Sequence, residues 1–225
     1  MKVRIIKNDG FMGIQAMYVA ARTCYSADHV EDLVENNLDY FTQIDLIMKV
    51  LKSGHESIAE HYNFTIGIDG ISRSCSHQLV RHRLCTFSQQ SQRYVNFSDK
   101  SFDYVTPASI EKSVLLNDYN DCMTELKKIY DKLVFSGIKP EDARYVLPNA
   151  ACTNITFSCN LRQLMHVSEL RLCSRAQWEI REVFEQIREA VLKTNPEFSE
   201  LLIPKCEKMG FCNEHQSCGR YAKKS

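Results

Sequence analysis

Arg81-His82-Arg83, followed after seven residues by Ser91-Gln92-Arg93, concentrates the polar chemistry of this chain. The stretch reads RHRLCTFSQQSQRY: three cations or near-cations, then hydroxyls and amides. A guanidinium is a planar fork of N–H donors that engages phosphate or carboxylate oxygens two at a time. Ser, Thr and Gln add neutral donors and acceptors that fix the remainder of a polar ligand. Such a segment suits a small polyanion. Its competing reading is a solvated basic patch of little energetic weight.

Three further segments narrow the choice. Gly54-His55-Glu56-Ser57-Ile58-Ala59-Glu60-His61 lies upstream, and Ala143-Arg144-Tyr145-Val146-Leu147-Pro148 downstream. Asn160-Leu161-Arg162, His166, Leu170-Arg171 and Ala176-Gln177-Trp178-Glu179-Ile180 follow. In type, spacing and order, these segments together with RHR-x7-S-x-R resemble the signature of the flavin-dependent thymidylate synthases. One such motif is weak evidence, but four in register are strong.

The resemblance implies a reaction: dUMP and methylenetetrahydrofolate give dTMP, with FAD carrying a hydride supplied by NADPH. The protein positions and polarises while the cofactor carries the redox step. It implies Arg171 as the catalytic residue, contacting the uracil and favouring negative charge on its ring. Gln78, Arg81, Gln89, Gln90, Ser91, Gln92, Arg93, Arg144 and Arg171 match the dUMP-binding positions. More than one guanidinium is reasonable for a phosphate carrying nearly two charges. His55, Ser57, Arg81, His82, Arg83, Gln89, Asn160, Arg162 and His166 match or adjoin the positions used for FAD. A homotetramer with active sites shared between subunits is also implied. Relatives commonly have Asn-Glu where this chain has Ser88-Gln89, which removes a carboxylate beside the nucleotide.

Each assignment has a structural alternative. Arg171 could be a helix-surface arginine paired with Glu169 or Glu179. Arg93 and Arg144 could form ion pairs, and His82 shares an apolar face with Ile71, Cys75 and Leu79. No G-x-G-x-x-G is present, so a pyrophosphate would need arginines in place of a Rossmann cradle, a task that suits Arg83 and Arg162. His55-Glu56 is not a zinc-protease motif, because Ala59 stands where the second histidine belongs. Cys85 lies between RHR and the polar run, where Arg81 and Arg83 could depress its pKa. The family resembled uses no cysteine nucleophile. Cys206, Cys212, His215 and Cys218 are a legitimate zinc set in irregular spacing, or incidental cysteines; no metal is assigned.

Composition sets the frame. The 225 residues are 44% hydrophobic and 25% charged with zero net charge, enough for one cored domain. Zero net charge and no basic-aromatic stripe count against the rival reading, an RNA- or nucleotide-binding protein without redox chemistry. No segment reads as a membrane span or signal peptide, which points to the cytoplasm. The ten cysteines read as small buried groups in a reducing compartment. Residues 1–205 read as one catalytic domain and 206–225 as a cysteine-rich tail.

The elements that must position these residues follow from periodicity. Lys2–Lys7, Tyr62–Ile68 and Thr153–Cys159 read as strands. Helices are expected at Met17–Thr23, Phe41–Lys52, Ile71 to Leu84, Ile110 to Ser136, from Pro140, at Leu161–Leu172 and at Arg175–Lys193. Asp69-Gly70 reads as a turn and Cys85–Gln92 as a loop. Interleaving without strict alternation predicts an α+β fold: a mixed domain of helices with a small sheet.

Overall fold

The computed structural model describes residues 1–36, 38–98 and 102–224. In chain order its elements are β1 (Lys2–Asn8), α1 (Gly10–Thr23), α2 (Val30–Glu35), α3 (Tyr40–Lys52), β2 (Asn63–Ser72), α4 (Arg73–Leu79) and β3 (Thr86–Gln89). Then come α5 (Ala108–Glu111), α6 (Leu116–Phe135), α7 (Pro140–Ala143), β4 (Cys152–Asn160), α8 (Leu161–Arg171), α9 (Trp178–Leu192) and α10 (Lys205–Met209). The strands form one sheet in the order β1-β2-β4-β3. Thr65 bonds to Ser158 and Gly70 to Asn154, an antiparallel register for β2 and β4. The α+β architecture is the one expected from the interleaved elements.

Contacts group the chain into two units: residues 1–2, 68–81 and 87–156 form one, and 3–67, 82–86 and 157–225 the other. In the first unit, Ile68, Ile71, Cys75, Leu79, Met123, Tyr130 and Ile155 are buried. Helix α6 presents Met123 and Tyr130 to this core, seven residues apart on one face. In the second unit α1 packs on α3, and α8 and α9 pack on each other. Helix α9 buries Ile180, Val183, Phe184, Ile187 and Val191, a spacing of three and four that lays one apolar stripe inward.

Tyr62 anchors that second core. Fully buried, its hydroxyl accepts the Gly10 N–H at 3.1 Å and donates to Asn195 Oδ1 at 3.1 Å. Its ring lies against Gly13, where a Cβ would stand 2.6 Å from ring carbon. Only glycine lets α1 approach this closely.

Several local expectations change. The helix read from Ile71 to Leu84 is shorter, because β2 runs through Ser72 and α4 ends at Leu79. Ser72 caps it, its Oγ accepting the Cys75 N–H at 3.0 Å. Asp69-Gly70 is strand, with Gly70 at φ +73 inside β2. The supposed loop 85–92 contains β3. The long helix begins at Leu116 after the separate turn α5, and α9 begins at Trp178, where Gln177 caps it. Helix α2 and the 3-10 turn Glu56–His61 escape a period-based reading because each spans only six residues. The tail falls in the second unit, and Ser225 lies outside the described residues.

Candidate functional site

The expected site residues divide between the units, and the boundary falls inside RHR, after Arg81. Gln78, Arg81, the run Gln89–Arg93 and Arg144 belong to the first unit, and the others to the second.

In the first unit, a cavity of about 290 Å³ is lined by Arg73, His77, Gln92, Arg144, Tyr145, Leu147, Pro148 and Asn149. Two guanidiniums and an imidazole face it, and no carboxylate lines it. Arg73 is held at the start of α4 by its backbone N–H, which donates to Ala151 O at 3.0 Å. Its side chain reaches Thr153 Oγ1 at 3.5 Å. Burial, and then the like charge of Arg144, pull its pKa below the usual arginine value. Arg144 donates from Nε to the Glu141 carbonyl at 2.9 Å, which fixes the plane of its fork. Two cations held this close favour a ligand that relieves their repulsion, and a phosphate dianion does so.

The polar run that borders this cavity is braced by its own side chains. Gln89 Nε2 donates to Ser76 Oγ at 2.9 Å and Thr153 Oγ1 at 3.3 Å, tying β3 to α4 and β4. Gln90 N–H donates to Asn154 O at 2.9 Å. Ser91 Oγ accepts the N–H groups of Arg93 and Tyr94, at 3.1 and 3.3 Å. Arg93 pairs with Glu141 at 2.6 Å and lies over the Tyr94 ring at 5.1 Å, so its charge is partly engaged. Gln78 and Arg81 are not on the cavity wall.

In the second unit the key contact is Arg171 Nε donating to His82 Nε2 at 3.0 Å. His82 is buried, and burial, then the charges of Arg171 and His166, lower its pKa to about 4. At neutral pH it is therefore uncharged, accepts at Nε2 and carries its proton on Nδ1. The neutral imidazole orients the guanidinium and adds no charge of its own. Glu169, one partner considered for Arg171, takes Lys208 at 2.5 Å. His82 lies beyond α4, not on it, yet Ile71, Cys75, Leu79 and His82 are all buried as the apolar pattern suggested.

A second cavity, of about 620 Å³, is lined by Glu56, Glu60, Leu84, Asn160, Arg162, Gln163, His166, Glu169 and Lys208. Asn160 starts α8, its Oδ1 accepting the Gln163 N–H at 2.9 Å. Arg162 pairs with Glu60, and Lys208 bridges Glu56 and Glu169. The amides, imidazole, guanidinium and exposed Leu84 suit the polar edge and apolar face of a flavin nucleotide. Arg162 shares its charge with Glu60, and Arg83 is exposed and off this wall. His55 and Ser57 are exposed and off this wall, and the His55 ring meets Tyr25 edge-on at 6.3 Å.

Cys85 is depressed, but not by the arginines flanking it in sequence. Hydrogen bonds from Cys159 and then Gln163 lower it against burial, and Cys159 is raised in turn. Sequence reasoning missed Arg73, His77, Glu60 and Lys208. Arg73 and His77 stand four apart on α4, a pairing visible once the helix start is known. Lys208 comes from the tail and had no local signal.

Residues 12–197 match the family described as "Thymidylate synthase complementing protein". A protein of Nitratidesulfovibrio vulgaris described as "Flavin-dependent thymidylate synthase" is 39% identical, over 92% of this chain and 90% of its own length. One of the same description from Pyrococcus abyssi is 43% identical over 75% of this chain and 72% of its own length. Among solved structures, the UMP/dUMP methylase PolB from Streptomyces cacaoi, bound with 5-Br dUMP, superposes with a TM-score of 0.73. It is 25% identical, covering 88% of this chain and 94% of that one.

Proposed function

The chain belongs to the flavin-dependent thymidylate synthase family, and we propose that it methylates dUMP to dTMP. Methylenetetrahydrofolate gives the carbon, and FAD passes on a hydride taken from NADPH. The enzyme acts in the cytoplasm as a homotetramer with active sites shared between subunits. No helix among the described residues is long and apolar enough to cross a membrane.

The observation that carries this reading is Arg171 held by a neutral histidine. Negative charge developing on a uracil ring meets a guanidinium already oriented by His82, and a pre-oriented charge of this kind stabilises a transition state. Arg144 and Arg73 hold the nucleotide phosphate, with Gln92 and His77 completing that wall. Asn160, Arg162 and His166 hold the flavin nucleotide. When bound, the flavin supplies two-electron transfer that no side chain here can provide.

Anaerobic spectroscopy tests this. A flavin spectrum that NADPH bleaches, and that returns with dTMP formation only after dUMP and methylenetetrahydrofolate are both added, is the expected result. UMP should be run beside dUMP, since the solved neighbour is described as acting on both. A colourless protein that takes up no FAD and binds RNA in a steeply salt-dependent way would sink the proposal and favour the non-redox alternative.

A further inference from the structure

Lys208 lies beyond residues 12–197, the part of the chain that matches the family, yet it lines the cavity assigned to the flavin. It is carried by α10, a helix of five residues that Pro204 opens and Gly210, at φ +74, closes. So short a helix is not stable alone, and its packing on α8 holds it in place. From there the Lys208 ammonium reaches two carboxylates. It donates to Glu56 Oε1 at 2.7 Å, at the start of the 3-10 turn, and to Glu169 Oε1 at 2.5 Å, on α8. These partners are 152 and 39 positions away along the chain.

The charges on this wall would disfavour an anion without Lys208. Three carboxylates, Glu56, Glu60 and Glu169, line it beside two cations, Arg162 and Lys208. Arg162 answers Glu60, and among the described residues Lys208 is the cation that pairs with the other two. Because both carboxylates meet one ammonium nitrogen, their Oε1 atoms stand no more than about 5 Å apart. The Glu56 and Glu169 side chains are 28% and 16% exposed, so water screens them less than it would on open surface. Without the ammonium, two neighbouring negative charges would confront the pyrophosphate of a flavin nucleotide.

We propose that Lys208 is a positioning residue for the flavin nucleotide: it holds the Glu56 and Glu169 carboxylates and cancels enough of their charge for an anionic cofactor to occupy the cavity. The inference rests on reading this cavity as the flavin site, and it makes the tail a part of that site. The competing role is a clasp that merely fastens the tail. Lys208 is 42% exposed, and an ion pair that open to water adds little to stability. Its effect on an anion held inside the cavity is larger, because the anion meets the carboxylates where screening is weakest.

The test is FAD titration of the full chain stripped of flavin, followed by flavin fluorescence, with a melting curve for each variant. Lys208→Met should weaken FAD binding about tenfold or more, and Lys208→Arg should stay within about threefold of the wild type. Adding Glu56→Gln and Glu169→Gln to Lys208→Met should restore binding to within about threefold, because the charges to be cancelled are gone. The Lys208→Met deficit should also shrink as salt is raised, since screening weakens the repulsion. Should Lys208→Met fail to fold, Glu56→Gln/Glu169→Gln with Lys208 retained should bind FAD more tightly than the wild type, and weaker binding would overturn the proposal. So would normal FAD affinity in Lys208→Met, or a deficit that neither the glutamines nor salt relieves, which marks a clasp. A wild-type chain that takes up no FAD would overturn the flavin reading and this inference together.

Discussion

In the proposed reaction Arg171 and His82 act as a pair in which the imidazole must stay neutral to accept the Nε–H. A protonated histidine would repel the guanidinium and could not accept its N–H. Arg171→Ala should keep fold and flavin while turnover falls by about 10² to 10³, the usual loss for one donor at a developing anion. Flavin absorbance and single-turnover kinetics on the same sample would check this, and near-normal turnover would remove Arg171 from its role. Arg171→Lys should not rescue, since an ammonium has no Nε–H for His82 to hold. Arg73 makes a different prediction. Arg73→Gln should weaken dUMP binding by about tenfold or more, with little effect on deoxyuridine, because a charge-assisted phosphate contact is lost. Calorimetry with both ligands separates a phosphate contact from a general loss of structure.

Elements place these residues by close approach. Helix α1 reaches Tyr62 only because position 13 has no side chain, so Gly13→Ala should destabilise by about 1–3 kcal/mol through overpacking. A melting curve would show it, and an unchanged midpoint would mean the ring shifts freely. Much at this scale was legible in sequence. The alternation over Tyr62–Ile68 and the stripe over Phe41–Lys52 gave β2 and α3, since half-burial imposes a period of its own. The reading failed between Ile71 and Arg83. Ile71, Cys75, Leu79 and His82 are spaced as one helical face and all are buried. A strand end, a short helix and a turn can bury the same residues, and burial is what the pattern reports.

For the whole molecule, acid should find the weak point at His82. Its pKa in the folded chain, about 4, lies below the ordinary value of 6.5, so the unfolded chain binds the extra proton in between. This contribution to stability is complete above about pH 6.5 and declines as pH falls towards 4, by at most about 1.4 kcal/mol per pH unit. Denaturant melts across that range should show the loss, and His82→Gln should reduce the slope. Association is the other prediction at this scale. Phe41, Leu84, Val114, Phe135 and Tyr145 are each more than 70% exposed on the single chain, and a tetramer would cover some of that apolar surface. Light scattering should give about four chain masses, and a monomer would refute the shared-site assembly.

The sequence by itself determined the family and the kinds of residue that carry the chemistry, because forked cations, amides and their spacing are covalent facts. It determined the α+β class as well, since periodicity records which faces are buried. Only the tertiary structure decided partners. Glu60 on Arg162, Cys159 beside Cys85 and His82 beneath Arg171 all join residues 74 to 102 positions apart. Electrostatics falls off with distance in space and ignores separation along the chain. Which charge a guanidinium meets, and whether an imidazole stays neutral, are therefore settled only when the chain closes on itself.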